Sequence, residues 1–275
     1  MTRGIHRRVR FELHCHSTCS DGTEPPERVA ARAAERQVAV FALTDHDTCA
    51  GSDVAVPGAR VIRAVELSCD DADRTVHVLA FDRGGAWSAL DERLAAVREA
   101  RRNRMRVMAA RLARRGIAID VEPLLAVADR RSIGRPDLAR AMVAAGAVSS
   151  VAEAFSRHLY DGGPVDVPHR ALALGEALAL GRAAGAAMAL AHPHLYDQRS
   201  AHYLRRYRAD GLTGIEAFYG AYDPRERARW LAVADQAGAV CTGGSDWHGP
   251  EAAHALPGVD LPGDRSAALL DWLAG

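Results

Sequence analysis

Residues 11–22 read Phe-Glu-Leu-His-Cys-His-Ser-Thr-Cys-Ser-Asp-Gly, and the rest of the chain is organised around them. His14 and His16 stand two apart at what reads as the end of a strand. Strand side chains alternate faces, so both imidazoles point one way and Cys15 the other. Asp21 follows in a Ser-Asp-Gly turn. Two imidazoles converging beside a carboxylate form a metal-ligand arrangement. An isolated His-x-His is as readily a pair of packed or exposed histidines. Three further His/Asp/Glu clusters, each beside a strand-like run, tip the balance towards metal.

The chain has 275 residues, enough for one sizeable core or a core with a small appended unit. Hydrophobic residues make up 48% and charged residues 25%, the balance of a soluble globular protein. Formal net charge is zero, which argues against a generally basic nucleic-acid-coating surface. All 35 basic residues are arginine, which excludes a catalytic or Schiff-base lysine. Five cysteines, an odd number with no tandem Cys-x-x-Cys, do not read as a disulfide framework. They suit a reducing cytoplasm, and the N-terminal Met-Thr-Arg-Gly-Ile-His-Arg-Arg lacks the apolar core of a secretory leader. No apolar run approaches the roughly 20 residues that span a bilayer.

Short apolar runs alternate with helical patterns along the chain. Pro25, Pro26 and Glu27 suit the first turn of a helix that runs to about Arg36. Residues 38–44 then form a continuous apolar run, the signature of a buried parallel strand, which ends in Thr44-Asp45-His46-Asp47-Thr48. Strands over 61–67 and 76–81 carry Glu66 and His77. From 87 to 116, apolar residues recur at spacings of three and four in an Arg-rich background, which predicts a long amphipathic helix. Helices over 122–129, 136–145 and 151–160 follow. The arginines here are either a solvated face or a basic wall for a phosphorylated substrate. Strand and helix then alternate again. Residues 187–191 lead into His192-Pro193-His194, 214–218 carry Glu216, and 239–242 lead into Ser245-Asp246-Trp247-His248. Repeated βα units with polar residues at strand ends describe an α/β barrel or open α/β sheet.

Nine candidate ligands emerge: His14, His16, Asp21, His46, Glu66, His77, His192, Asp246 and His248. Each alone is weak evidence. Together they come from at least six strand ends, and strand ends on one rim converge in space. Imidazole and carboxylate donors without a required thiolate suit Mn²⁺, Fe²⁺ or Zn²⁺, and nine ligands suit two or three ions.

HCHSTCSDG, TDHDTCAG, the Glu66 strand, VHVLAF, LAHP and GGSDWHG, in that order over residues 10–250, resemble the motifs of the PHP (polymerase and histidinol phosphatase) metallophosphoesterases. The resemblance implies a distorted (β/α)7 barrel with its metal cluster at the C-terminal rim. The barrel would comprise residues 10–90 and 165–275, with a helical insertion over 91–164 covering the site. One metal position would be held by His14, His16, Glu66 and Asp246. A second would share Glu66 with His77 and His192, and a third would use Asp21, His46 and His248. Mn²⁺ is the first choice of ion.

The implied activity is hydrolysis of phosphate esters by a metal-activated hydroxide, which needs positioning and charge neutralisation more than a side-chain nucleophile. Cys15 and Cys19 then read as packing residues. Ser-Ile-Gly-Arg135-Pro, with Tyr160-Asp-Gly-Gly-Pro, resembles the insertion of nucleotide-directed members: 3′,5′-nucleoside bisphosphate phosphatases and 5′-to-3′ exoribonucleases. By that resemblance Arg135 binds a substrate phosphate in a bidentate fork. His194 stands where such members often carry Gly-Arg after His-Pro. It is a candidate catalytic residue protonating the leaving group, or a pocket-lining group. Tyr219, Tyr222 and Trp247 are candidates for base stacking or for packing. The substrate would be a phosphorylated nucleotide, with short RNA as a further candidate. No membrane and no stable protein partner is implied. The rivals are a phosphomonoesterase of small metabolites such as histidinol phosphate, and a metal-binding regulatory domain without turnover.

Overall fold

The computed structural model describes residues 9–72, 74–128, 131–168, 171–251 and 256–275. β1 (Val9–Glu12) leads into the first His-rich stretch, and α1 (Pro26–Glu35) follows with Pro26 and Glu27 in its first turn. Val29, Ala30 and Ala33 form the buried face of α1. β2 (Val40–Phe41) and β3 (Arg60–Val61) are two-residue pairings, while β4 (Ala64–Asp71) and β5 (Arg74–Phe81) form a long hairpin.

α2 (Ser88–Ala113) is the long helix that the spacing predicts. Its buried stripe runs Leu90, Leu94, Val97, Arg101, Met105, Met108 and Leu112. α3 (Glu122–Val127), α4 (Arg135–Ala144) and α5 (Val151–Ala154) follow, and α5 continues as a π-helical turn over Phe155–Leu159. The end predicted at residue 129 lies outside the described residues.

The remaining elements alternate: β6 (Leu172–Ala173), α6 (Leu174–Ala183), β7 (Ala187–Leu190), α7 (Arg199–Arg206), β8 (Leu212–Tyr219), α8 (Pro224–Ala237), β9 (Val240–Gly244), β10 (Val259–Leu261) and α9 (Gly263–Ala274). α8 shows why its sequence is helical. The Asp223 carboxylate accepts the Glu226 N–H at 2.8 Å, Pro224 fills the first position, and Gly238 ends the helix at φ 62°.

The strands form two sheets, in orders β10-β1-β2-β3 and β6-β4-β5-β7-β8-β9. Backbone hydrogen bonds join them at both open sides. Leu13 N–H donates to Gly243 O at 3.2 Å and Asp246 N–H to His14 O at 2.7 Å, tying β1 to β9. Asp47 N–H donates to Glu66 O at 2.9 Å, tying the segment after β2 to β4. The strands β1, β2, β4, β5, β7, β8 and β9 thus follow one another around a distorted barrel. The β1–β9 seam is tight: a Cβ on Gly244 would lie 2.4 Å from the His14 nitrogen, so only glycine lets the backbones approach.

β5 departs from the sequence expectation. It runs antiparallel to both β4 and β7. His77 therefore reaches the rim from the start of its strand, where a simple βα alternation puts ligands at the ends. The hairpin reverses the chain at the rim before β5 descends. β6 and β10 are also unanticipated, because two- and three-residue pairings are too short to show a period.

The main apolar core lies within and around the barrel and includes Phe11, Leu67, Leu79, Met188 and Trp230. A second cluster, including Met105, Met108, Leu125, Leu138, Met142 and Leu159, is built from the helical stretch. α2 spans both clusters. A third packs Cys15, Val29, Phe41 and Trp247 behind the first His-rich stretch.

Candidate metal centre

All nine candidate ligands gather at one rim. Glu66, fully buried on β4, lies at the middle. Its Oε2 faces His14 Nε2 at 3.4 Å, His16 Nε2 at 3.2 Å and His46 Nδ1 at 3.1 Å. Its Oε1 faces His77 Nδ1 at 2.9 Å and His192 Nε2 at 3.0 Å. Asp246 Oδ1 lies 3.3 Å from His14 Nε2 and 3.2 Å from His16 Nε2. Asp21 lies 3.3 Å from His248 Nε2 and 3.7 Å from His46 Nε2. Ligand atoms in each of four groups fall within 4.8 Å of one another: His16-Asp21-His46-His248, His14-Glu66-His192, His14-His16-Asp246 and His46-Glu66-His77.

The surroundings explain the motifs. In Thr-Asp45-His46-Asp47, the histidine faces the cluster while the aspartates on either side build the scaffold. Asp45 accepts Ser17 N–H at 2.8 Å and the Ser17 and Ser20 hydroxyls at 2.7 and 2.6 Å, shaping the loop that carries Asp21. Asp47, at φ 52°, accepts Ser68 N–H at 2.8 Å and holds Arg101 of α2 at 2.6 Å. His192 and Asp246 also have positive φ, 26° and 54°. Backbone in this region persists in non-glycine residues only where surrounding structure imposes it.

The donor set fits cations. His14 Nε2, His16 Nε2, His46 Nδ1 and Glu66 Oε2 are buried and make no hydrogen bond. Orphaned buried polar atoms are rare, and each costs about 1–3 kcal/mol. Each of the four residues belongs to at least one of the groups above, where divalent ions would satisfy the orphaned atoms. The charges agree. Burial opposes ionisation of Glu66, Asp21 and Asp246, yet the surrounding imidazoles hold all three well below the ordinary carboxylate range. Burial likewise opposes a charged His16, but Asp246 and Glu66 push it up to about 10. His46 goes the other way, down to about 3, because burial outweighs Glu66 and Asp21.

Two groups that are not among the nine candidate ligands flank the cluster. Glu216 on β8 is fully buried and contacts His14 Nδ1 with both oxygens. Tyr219 donates its hydroxyl to Asp246 Oδ2 at 3.0 Å. Glu216 sits inside a continuous apolar strand, where nothing in the pattern separates an orienting carboxylate from an ordinary polar interruption.

A cavity of about 850 Å³ opens from the rim. Asp21, His46, His77 and His192 line it, together with Arg101, Arg104, Ser132, Gly134 and Arg135. Arg74, Ala72 and Asp70 add the tip of the β4–β5 hairpin. Arg135 pairs with Asp161 and donates to Leu159 O at 3.2 Å. Burial, and then the neighbouring Arg135 charge, lower the Arg104 pKa.

His194 is not among the residues lining this cavity. Its Nδ1 lies 2.8 Å from the Tyr222 hydroxyl, and its ring lies 5.1 Å from that of Tyr219. Burial and the nearby His192 charge lower its pKa. Base stacking on Tyr219, Tyr222 or Trp247 is overturned: each is at most 6% exposed, and Trp247 packs behind the site with Cys15. Cys15 is buried, and burial pushes its thiol well above the ordinary range. Among the described residues no helix is long and apolar enough to cross a membrane.

Known proteins resemble this chain in sequence and fold. Over 251 residues the chain is 34% identical to a 3′,5′-nucleoside bisphosphate phosphatase from Chromobacterium violaceum, covering 88% of each. Over 257 residues it is 31% identical to the 5′-3′ exoribonuclease Rnm of Salmonella typhimurium, covering 88% of this chain and 86% of that one. A crystal structure from Bifidobacterium adolescentis, assigned as a metal-dependent phosphoesterase, superposes with a TM-score of 0.82 at 31% identity. That superposition covers 95% of this chain and 96% of the other. Residues 12–121 match the PHP domain. With relatives of this identity and extent, the chain belongs to the PHP family of metal-dependent phosphoesterases.

Proposed function

We propose that the substrate is a nucleotide carrying more than one phosphate, a 3′,5′-bisphosphonucleotide or a short oligonucleotide, hydrolysed to nucleoside monophosphates. One observation carries this reading: one cavity is lined both by rim residues of the candidate cluster, Asp21, His46, His77 and His192, and by Arg101, Arg104 and Arg135. One phosphoryl group can face the rim while a second faces guanidinium. Burial first, and then the Arg135 charge, lower the Arg104 pKa, and a bound anion would relieve that repulsion. The names of the two curated relatives point to the same substrate class.

The nine rim residues would hold two or three divalent ions, and the all-nitrogen-and-oxygen donor set makes Mn²⁺ our first choice. When bound, such ions acidify water and neutralise charge on phosphoryl oxygens. The chain's residues supply the rest. Glu216 fixes the His14 ring, Tyr219 orients Asp246, and Arg135 holds the non-reacting phosphate. With the Tyr222 hydroxyl donating to His194 Nδ1, the Nε2–H of a neutral imidazole would be free to donate to a leaving oxygen. That is the role we assign to His194. We take residues 91–164 as the helical insertion that covers the site. Five unpaired thiols suit the cytoplasm, the compartment we propose.

The test is phosphate release from 3′-phosphoadenosine 5′-phosphate with Mn²⁺, beside 5′-AMP and histidinol phosphate. Fast release from the bisphosphate is the expected result. Turnover of histidinol phosphate alone would overturn the substrate reading and leave the metal centre standing.

A further inference from the structure

The carbonyls of three consecutive residues in the Asp21 loop all receive hydrogen bonds from residues 131–140. Ser132 N–H donates to Cys19 O at 2.8 Å, Arg131 Nη2 to Ser20 O at 2.5 Å, and Arg140 Nη1 to Asp21 O at 3.2 Å. Both guanidiniums converge on one carboxylate oxygen of Asp137, with Arg140 at 2.9 Å. The other oxygen accepts Gly134 N–H at 2.8 Å and so caps α4. Asp137 is 2% exposed, and it is not among the residues lining the cavity.

We propose that Asp137 is a positioning residue for the metal centre. Through Arg131 and Arg140 it sets the place of Asp21, and with it the affinity of the cation position formed by Asp21, His16, His46 and His248. The inference rests on the reading of the rim cluster as a metal centre.

The physical case is one of leverage. A cation site tolerates displacements of its ligands of only about 0.5 Å. Asp21 sits on a loop and not on a strand, so its position depends on what grips that loop. Asp45 grips it from the barrel side through Ser17 and Ser20. Arg131 and Arg140 grip it from the helical side. Two long side chains hold one geometry only if their heads are anchored, and the buried Asp137 carboxylate anchors both. Among the described residues, the strand ends carrying His14, Glu66, His77, His192 and Asp246 take no hydrogen bond from residues 131–140. Loss of the anchor should therefore fall on one cation and spare the rest.

The experiment is calorimetric titration of Mn²⁺ into the metal-stripped full chain. Wild type is compared with Asp21→Ala, Asp137→Asn and Arg140→Ala, and each variant is checked by circular dichroism. Asp21→Ala identifies the ion that depends on Asp21. Asp137→Asn is expected to weaken that same ion by roughly tenfold or more, the usual effect of losing a supporting residue, with the other ions unchanged. Arg140→Ala, at a partly exposed residue, should weaken it in the same direction by less. It serves as the deciding comparison if Asp137→Asn does not fold. An Asp21-dependent ion that both variants bind with wild-type affinity overturns the inference and leaves the metal centre intact. Uniform weakening of every ion also overturns it, since that marks general loosening. A wild-type isotherm with no Asp21-dependent ion overturns the inference together with the assignment of Asp21 as a ligand.

Discussion

Both carboxylate oxygens of Glu216 close on Nδ1 of His14, at 2.9 and 3.0 Å. The same side chain accepts the His192 N–H at 2.7 Å, so one buried acid on β8 holds two residues of the rim. A carboxylate on Nδ1 fixes that nitrogen as the protonated one and presents the Nε2 lone pair to the cluster. In Glu216→Gln an amide N–H₂ replaces one acceptor, and the ring is no longer held to this tautomer. Metal affinity should fall about 10–100-fold while the fold persists. Metal content after dialysis against Mn²⁺ measures it, and an unchanged content means that the His14 tautomer is set elsewhere.

Glu66 reaches five imidazoles, those of His14, His16, His46, His77 and His192. No neighbour can replace it. Glu66→Gln should lose at least one bound ion and abolish phosphate release, with an unaltered circular dichroism spectrum. His14→Ala and Asp246→Ala should do the same. Full turnover in any of the three would falsify the ligand assignment.

Arg135 holds Asp161, an exposed partner that a phosphate can displace. Hydrogen bonds to charged groups contribute about 1.5–3 kcal/mol, so Arg135→Ala should raise KM for a bisphosphate roughly ten- to a hundredfold. KM for a monophosphate should move far less, and kcat for either should hold. Equal losses for both substrates would show that Arg135 reads something other than the second phosphate.

The metal-free centre carries protons that a cation must displace. Burial disfavours protonated His16, but Asp246, Glu66 and Asp21 raise its pKa to about 10. Glu216, Asp246 and Glu66 likewise raise His14 against burial. Raised folded-state values stabilise the metal-free protein fully below the ordinary histidine value of 6.5, and for His16 the contribution is lost as pH climbs through about 10. Metal uptake at pH 7 should therefore release protons, and apparent affinity should rise with pH. Titrations in buffers of different ionisation enthalpy count these protons. A count of zero contradicts the charge assignment.

Glu12 lies beneath the seam and is fully buried. Burial pushes its carboxyl up to about 7, against hydrogen bonds from Ser245, Gly258 and His14. One oxygen accepts His14 and Ser245 N–H at 3.2 and 2.9 Å, and the other accepts Gly258 N–H at 2.5 Å. Glutamine must turn an N–H₂ towards one of these donors. Glu12→Gln should cost about 1–3 kcal/mol, a fall of several degrees in Tm. An unchanged melt would show that the seam does not depend on this acid.

The candidate ligands were readable because metal chemistry demands a narrow set of residue types, and strand ends bring distant motifs together. The supporting groups were not. Glu216 is one acid in an otherwise apolar strand, and Arg101 looked like its six neighbouring arginines on α2 until its burial against Asp47 singled it out. Periodicity also hides direction: residues 76–81 read the same whether the strand rises or descends. The turn residues around Asp71 and Ala72 were the local sign of a hairpin. Asp137 reads only as an ordinary acid in a first helical turn, because the two arginines and the loop it serves meet it only in three dimensions.

The reversed strand has a further consequence. Because β4 and β5 join at the rim, their tip becomes part of the cavity wall, with Asp70, Ala72, Arg74 and Thr75 facing the space where substrate would lie. Glu66 and His77 sit lower in the same hairpin, locked by eight paired positions. A change of length or composition at the tip reshapes the pocket without disturbing the register that places Glu66 and His77. The hairpin thus separates the part that shapes the pocket from the part that holds the rim residues, and it is the natural place to graft a new substrate preference.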